Sequence, residues 1–172
     1  MLGVAFSAAA TEAQETGVSI ENVRIFDGTS ASLSAPSNVL VVGNLIRSIS
    51  AAPIAAPPGT TVTRIQGGGR TLMPGLIDNH VHIALSTTGQ IDLLSDATTA
   101  DVLQARATAE ARDMLMRGFT AVRDMGGPML TALPKMDKGE LPGPRIYASG
   151  AMISQTSGHG DSRLPRERSR RF

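Results

Sequence analysis

The chain has 172 residues, with 16 basic against 15 acidic side chains and no cysteine. That length suits one ordinary domain or a small pair, and the missing cysteine excludes both a disulfide framework and a thiolate metal site. Five of the arginines lie in residues 163–172, so the rest of the chain holds 11 basic and 14 acidic residues, which argues against a nucleic-acid surface on its body.

Residues 1–17 begin with the small apolar run Met1-Leu2-Gly3-Val4-Ala5-Phe6-Ser7-Ala8-Ala9-Ala10. It resembles the end of a clipped export signal, with small residues around a cut near Ala10 or Ala13, although a basic start is missing. The competing reading is an unstructured N-terminus. Export implies a periplasmic or secreted protein; without it the chain is cytoplasmic. No apolar run approaches the roughly 18–20 residues of a membrane span.

Residues 18–72 read as strands. Val18, Ile20, Val23 and Ile25 alternate imperfectly, and Asp27-Gly28 turns the chain. Val39-Leu40-Val41-Val42 and Leu45-Ile46-Arg47-Ser48-Ile49 flank Gly43-Asn44, a hairpin signal. Val62-Thr63-Arg64-Ile65 is a further short strand. Gly67-Gly68-Gly69 lacks the strand-then-helix setting of a phosphate loop and reads as a turn.

Pro74-Gly75 then punctuates the start of Leu76-Ile77-Asp78-Asn79-His80-Val81-His82-Ile83, a buried apolar strand. Side chains alternate with period two, so His80 and His82 share a face, roughly 6.5–7 Å apart along the strand. Two imidazoles leaning together can share one metal ion, and Zn²⁺, Ni²⁺ or Fe²⁺ suits them. The plain alternative is two histidines bonded to neighbours on a sheet face. The same alternation places Asp78 on that face, one step deeper. There it could orient an imidazole or satisfy nearby backbone groups.

Residues 84–97 read as a long polar loop. A helix follows, capped by Thr98 or Thr99, with Val102, Leu103, Ala107, Ala111, Met114 and Leu115 as its apolar stripe and Gly118 past its end. Phe119–Asp124 is a second strand, Met129–Met136 a short helix, and Arg145–Gly150 a third strand running into Ile153. Strand, helix, strand, helix, strand at this spacing means βαβ units on a parallel sheet. Asp124 ends its strand and reads as a loop cap rather than a catalyst. Ser157-Gly158-His159-Gly160-Asp161 follows the third strand, on the same end as His80 and His82. His159, between two glycines, can approach a ligand closely or stand as an exposed loop residue.

The run Thr71–His82, with its Pro-Gly-Leu-Ile-Asp-x-His-x-His pattern, resembles the first barrel strand of the amidohydrolase superfamily. Within it, the run looks like the imidazolonepropionase and metallo-dipeptidase branch. Arg123-Asp124-Met125-Gly126-Gly127 and Gly143-Pro144-Arg145-Ile146 also have counterparts there. The resemblance covers about Val18 to Asp161. It implies an α/β fold: a partial (β/α)₈ TIM barrel, about the first three βα units in residues 73–162, preceded by part of a small β-sandwich in 18–72. A closed barrel takes about 250 residues.

The resemblance further implies one or two divalent ions, Zn²⁺ foremost, His80 and His82 as metal ligands, and His159 as a residue that touches substrate. The reaction it implies is hydrolysis of a C–N bond in a small amide, peptide or cyclic amide. The other metal groups it implies are a carboxylated lysine on the fourth strand, histidines on the fifth and sixth, and an aspartate on the eighth. None can be placed here. All three histidines are assigned, and Lys135 and Lys138 lie before the third strand. The chain is therefore expected to be a truncated and inactive piece of a hydrolase. The alternative is a non-catalytic metal-binding or partner-dependent fragment, and an oligomer is compatible with either. The basic tail, 163–172, breaks in composition and suggests out-of-frame residues. A basic arm for nucleic acid or anionic lipid is the weaker reading, since it lacks interleaved aromatics.

Overall fold

The computed structural model describes residues 15–93, 95, 97–127, 132–150, 152–156, 158, 160 and 161. The chain divides into two compact units at Pro74/Gly75.

The first unit is a sheet of five strands: β1 (Thr16–Ile25), β2 (Ser37–Val42), β3 (Leu45–Ser50), β4 (Thr61–Gln66) and β5 (Thr71–Leu72). Their order is β3-β2-β1-β4, with β5 paired to the end of β1. The apolar runs on either side of Gly43-Asn44 form the expected antiparallel hairpin, Val42 opposite Leu45. β4 runs parallel to β1, Ile20 level with Ile65. Val39 and Leu40 are each 2 % exposed and form the centre of this sheet. The glycine run turns the chain between β4 and β5, as expected.

The second unit holds β6 (Leu76–Val81), α1 (Ile83–Ser86), α2 (Gln90–Leu93), α3 (Ala100–Met116), β7 (Phe119–Asp124), α4 (Leu133–Asp137) and β8 (Arg145–Ala148). Its three strands are parallel in the order β6-β7-β8. α3 starts where the Thr99 hydroxyl accepts the Val102 N–H, and it ends before Gly118, whose φ of +97° favours glycine. Leu103, Ala107, Ala111 and Met114 face inward from it. The core joins Ala107, Ala111 and Met114 to Ile83, Ala84, Val122, Ala132 and Ile146.

Three expectations change. The segment after His82 is not a plain loop: it forms α1 and α2, and Ile83 and Ala84 enter the core. Two apolar residues followed by threonines that bond back to the Ala84 carbonyl (Thr87 and Thr88) give this stretch its helical turn. β8 stops at Ala148, because the chain then turns at Gly150 with positive φ. The short helix before β8 covers Leu133–Asp137, and residues 129–131 of the expected span lie outside the described residues.

Candidate metal-binding site

β6 and β7 are not in simple register. Asp78 pairs with Val122 and Val81 with Asp124, so three steps along β6 match two along β7. β6 carries one extra residue there, a bulge. Val122 and Asp124 are each 1 % exposed and lie on the helix-covered face. Asp78 and Val81 share that face by register, so His80 and His82 alternate onto the other, open face. The sequence reading that set Asp78 on the histidines' face is thereby corrected. The bulge reverses the alternation between them.

The two imidazoles are brought together. Their ring centroids lie 5.3 Å apart and the planes meet at 71°, edge towards face. His80 is exposed and His82 half-buried, so a small ion can reach both. His82 follows β6 directly and precedes α1. Its Nδ1 stands 3.5 Å from the Gly126 carbonyl oxygen in the loop after β7. A carbonyl only accepts, so the proton belongs on Nδ1 and the Nε2 lone pair is left for a ligand. That is the arrangement of a metal-binding histidine with a backbone oxygen behind it. The donor set therefore fits a divalent ion as two of its ligands. Among the described residues no group of three or more histidine, cysteine or acidic side chains completes it.

The loops after β6, β7 and β8 meet at this end of the sheet. Met125 N–H donates to the Val81 carbonyl at 2.8 Å, Ser149 N–H to the Asp124 carbonyl at 2.9 Å, and Gly127 N–H to the Gly150 carbonyl at 3.3 Å. Crevices beyond the carboxyl ends of parallel strands are where such sheets bind ligands.

Asp78 does not touch an imidazole: its Oδ1 accepts the His80 backbone N–H at 3.0 Å. Asp124 proves more than a loop cap. Its Oδ1 accepts the Gly126 N–H at 3.3 Å, while Oδ2 is buried without a hydrogen-bond partner. Burial pushes its carboxyl above the ordinary carboxylate range. The N–H groups of Gly126 and Ile83, and a protonated His82, pull the other way, by less. Arg123, given no role by the sequence reading, donates from Nε to the Asn79 carbonyl at 2.7 Å. No local signal foretells that bond, because it depends on the register between two strands. His159 lies outside the described residues. No described helix is long and apolar enough to cross a membrane.

Several known proteins are similar to this chain. Residues 71–171 match the amidohydrolase family. An ochratoxinase from Aspergillus niger is 36 % identical over 95 residues, which is 52 % of this chain and 19 % of that protein. Among solved structures, a prolidase complexed with N-methylphosphonate-L-proline superposes with TM-score 0.71 at 29 % identity, over 88 % of this chain and 36 % of that one. The Aspergillus niger ochratoxinase structure gives 0.65 at 26 %, over 87 % and 34 %. The chain thus spans about a fifth of the curated relatives it matches. With more than half its length matched and its paired histidines at the carboxyl end of a parallel strand, the chain belongs to the amidohydrolase family.

Proposed function

We propose that this chain carries part of the active site of a metal-dependent hydrolase that cleaves a C–N bond in a small amide, peptide or cyclic amide. The observation that carries the reading is the pair of imidazoles, 5.3 Å apart on an open face at the carboxyl end of a parallel sheet. On this reading β6, β7 and β8 begin a (β/α)₈ barrel, and β1–β5 are part of a small β-sandwich. The prolidase among its relatives favours a peptide-like amide as substrate.

His80 and His82 would hold a divalent ion, Zn²⁺ foremost, through neutral imidazole nitrogens. Such an ion supplies Lewis acidity to an amide carbonyl and acidifies bound water. The Gly126 carbonyl keeps the His82 proton on Nδ1 and so directs the other nitrogen outward. His159, which follows β8 in the sequence, would touch substrate.

Two imidazoles are fewer than the three protein ligands of an ordinary catalytic zinc. The described residues contain no larger ligand group. We expect the chain by itself to bind metal rather than to catalyse; the second reading is a non-catalytic metal-binding or partner-dependent fragment.

The test is calorimetric Zn²⁺ titration beside a hydrolysis assay over dipeptides and lactams with Zn²⁺, Co²⁺ or Mn²⁺ supplied. Zn²⁺ binding lost in His80→Ala and His82→Ala, without turnover, is expected. Binding unaffected by both substitutions sinks the metal site. Turnover that disappears with His80→Ala keeps the chemistry and overturns the claim of incompetence.

A further inference from the structure

We propose that Asp78 and Arg123 are positioning residues: together they clamp the bulge in β6, and the clamped bulge turns His80 and His82 onto the open face as a pair. The inference rests on the metal reading above and adds to it the residues that hold the backbone carrying the pair.

Strand alternation makes the bulge decisive. Asp78 shares a face with Val122, beneath α3. In an unbroken strand, positions 80 and 82 would lie on that same face, because a period of two preserves it. Both imidazoles would then be driven into the core occupied by Val122, Ala107 and Ala111. One extra residue between Asp78 and Val81 hands that face to Val81, which packs on the core, and gives the opposite face to the histidines.

A bulge takes backbone groups out of the regular ladder, and those groups need other partners. Two side chains meet them, one from each strand. Asp78 Oδ1 accepts the His80 N–H at 3.0 Å. Arg123 Nε donates to the Asn79 carbonyl at 2.7 Å. The two bonds fall on the two ends of one peptide group, the Asn79–His80 amide, so they fix the orientation of that plane and with it the direction in which His80 leaves the strand. Arg123 is the β7 residue between Val122 and Asp124, the two partners that bracket the bulge. No other position on β7 is so placed.

Charge alone predicts a different pattern. Removing the cation of Arg123 near an ion site would strengthen cation binding, whereas loosening the clamp weakens it. Neutralising Asp78 as Asp78→Asn removes charge but keeps an Oδ1 acceptor for His80 N–H. The clamp therefore tolerates Asp78→Asn and not Asp78→Ala.

The 172-residue chain, its variants and Zn²⁺ alone suffice as a test. Asp78→Ala and Arg123→Ala should each weaken Zn²⁺ binding about tenfold, as loss of supporting partners does, while Asp78→Asn stays within about twofold of the parent. Arg123→Lys, which keeps a donor, stands in if Arg123→Ala does not fold, and should lie between Arg123→Ala and the parent. Arg123→Ala binding as tightly as the parent or more tightly, or Asp78→Asn failing as Asp78→Ala does, overturns the clamp. If the parent itself binds no Zn²⁺, the metal reading fails, and the clamp is judged separately by amide hydrogen exchange. The His80 N–H should exchange slowly in the parent and in Asp78→Asn, and fast in Asp78→Ala. Equal exchange in all three overturns it.

Discussion

Thr120 fills the space where a side chain on Gly75 would stand: a Cβ built on the glycine would lie 2.1 Å from the Thr120 hydroxyl oxygen and 2.2 Å from its methyl carbon. Thr120 is itself an extra residue. Leu76 pairs with Phe119 and Ile77 with Ala121, so β7 takes two steps there against one in β6. The bulge after Asp78 is the opposite irregularity, and it restores the register by Val81 and Asp124. Gly75 thus admits the first shift, and the second carries the histidines to the open face.

Gly75→Ala should therefore cost stability through overpacking, about 1–3 kcal/mol. Urea unfolding measures it. Thr120→Gly removes the atoms in the way, so the loss caused by Gly75→Ala should shrink in the Thr120→Gly background, a coupling that a double-mutant cycle reads directly. A Gly75→Ala chain with the parent's midpoint would show that the strand shifts freely at this point.

The neutral His82 ring should carry its proton on Nδ1, because the Gly126 carbonyl oxygen, 3.5 Å from that nitrogen, is an acceptor. Long-range ¹H–¹⁵N correlation of the metal-free chain distinguishes the two tautomers. A dominant Nε2–H form at His82 would remove the argument that its outer nitrogen is prepared for an ion. Among the described residues no hydrogen bond holds a His80 ring nitrogen, so His80 should show no comparable bias.

Asp124 makes the metal-free fold sensitive to pH. Burial raises its carboxyl above the ordinary value of 3.8, so the folded chain keeps a proton that the unfolded chain has already released. Between that ordinary value and the raised one, stability falls as pH rises, because the native state binds more protons across that window. Asp124→Asn is neutral throughout, with an amide nitrogen in place of the unpaired Oδ2, so it lacks this pH dependence. Across the window the parent should therefore lose stability relative to Asp124→Asn as pH rises. Below the window the difference between the two should no longer change with pH. Urea titrations in chelator across mildly acidic to neutral pH check this. A parent whose stability rises with pH there, relative to Asp124→Asn, contradicts it.

How much of this was legible in the sequence depends on how local the cause is. The Gly43-Asn44 hairpin, the Thr99 cap and the strand at Phe119–Asp124 rest on neighbours in the chain, and the sequence shows them. The closeness of His80 and His82 also follows from alternation, since the two are one step apart on the same side of the bulge. Which face they take does not follow, because the extra residue is set by pairing with β7. The roles of Asp78 and Arg123 are hidden for the same reason. The helical turns after His82 escaped because Ile83 and Ala84 are held by packing and α1 has no side-chain cap. Asp124 looked like an end-of-strand cap; its 1 % exposure comes from what is packed around it.

The apolar stripe of α3 offers a last test of that distinction, because periodicity treats Val102 and Leu103 alike and packing does not. Leu103 is 0 % exposed and Val102 38 %. Leu103→Ala removes three carbons from a sealed site and should cost about 2–5 kcal/mol. Val102→Ala loses little burial and gains helix propensity, since β-branched valine is the poorer helix former, so its effect should stay within about 0.5 kcal/mol. Both sit in the first turn of the same helix, next to the same Thr99 cap, so a difference between them reports burial rather than capping or position. Comparable losses in the two variants, read from urea midpoints at equal slope, would place the packing face of α3 elsewhere and with it the floor on which β6 and β7 are laid.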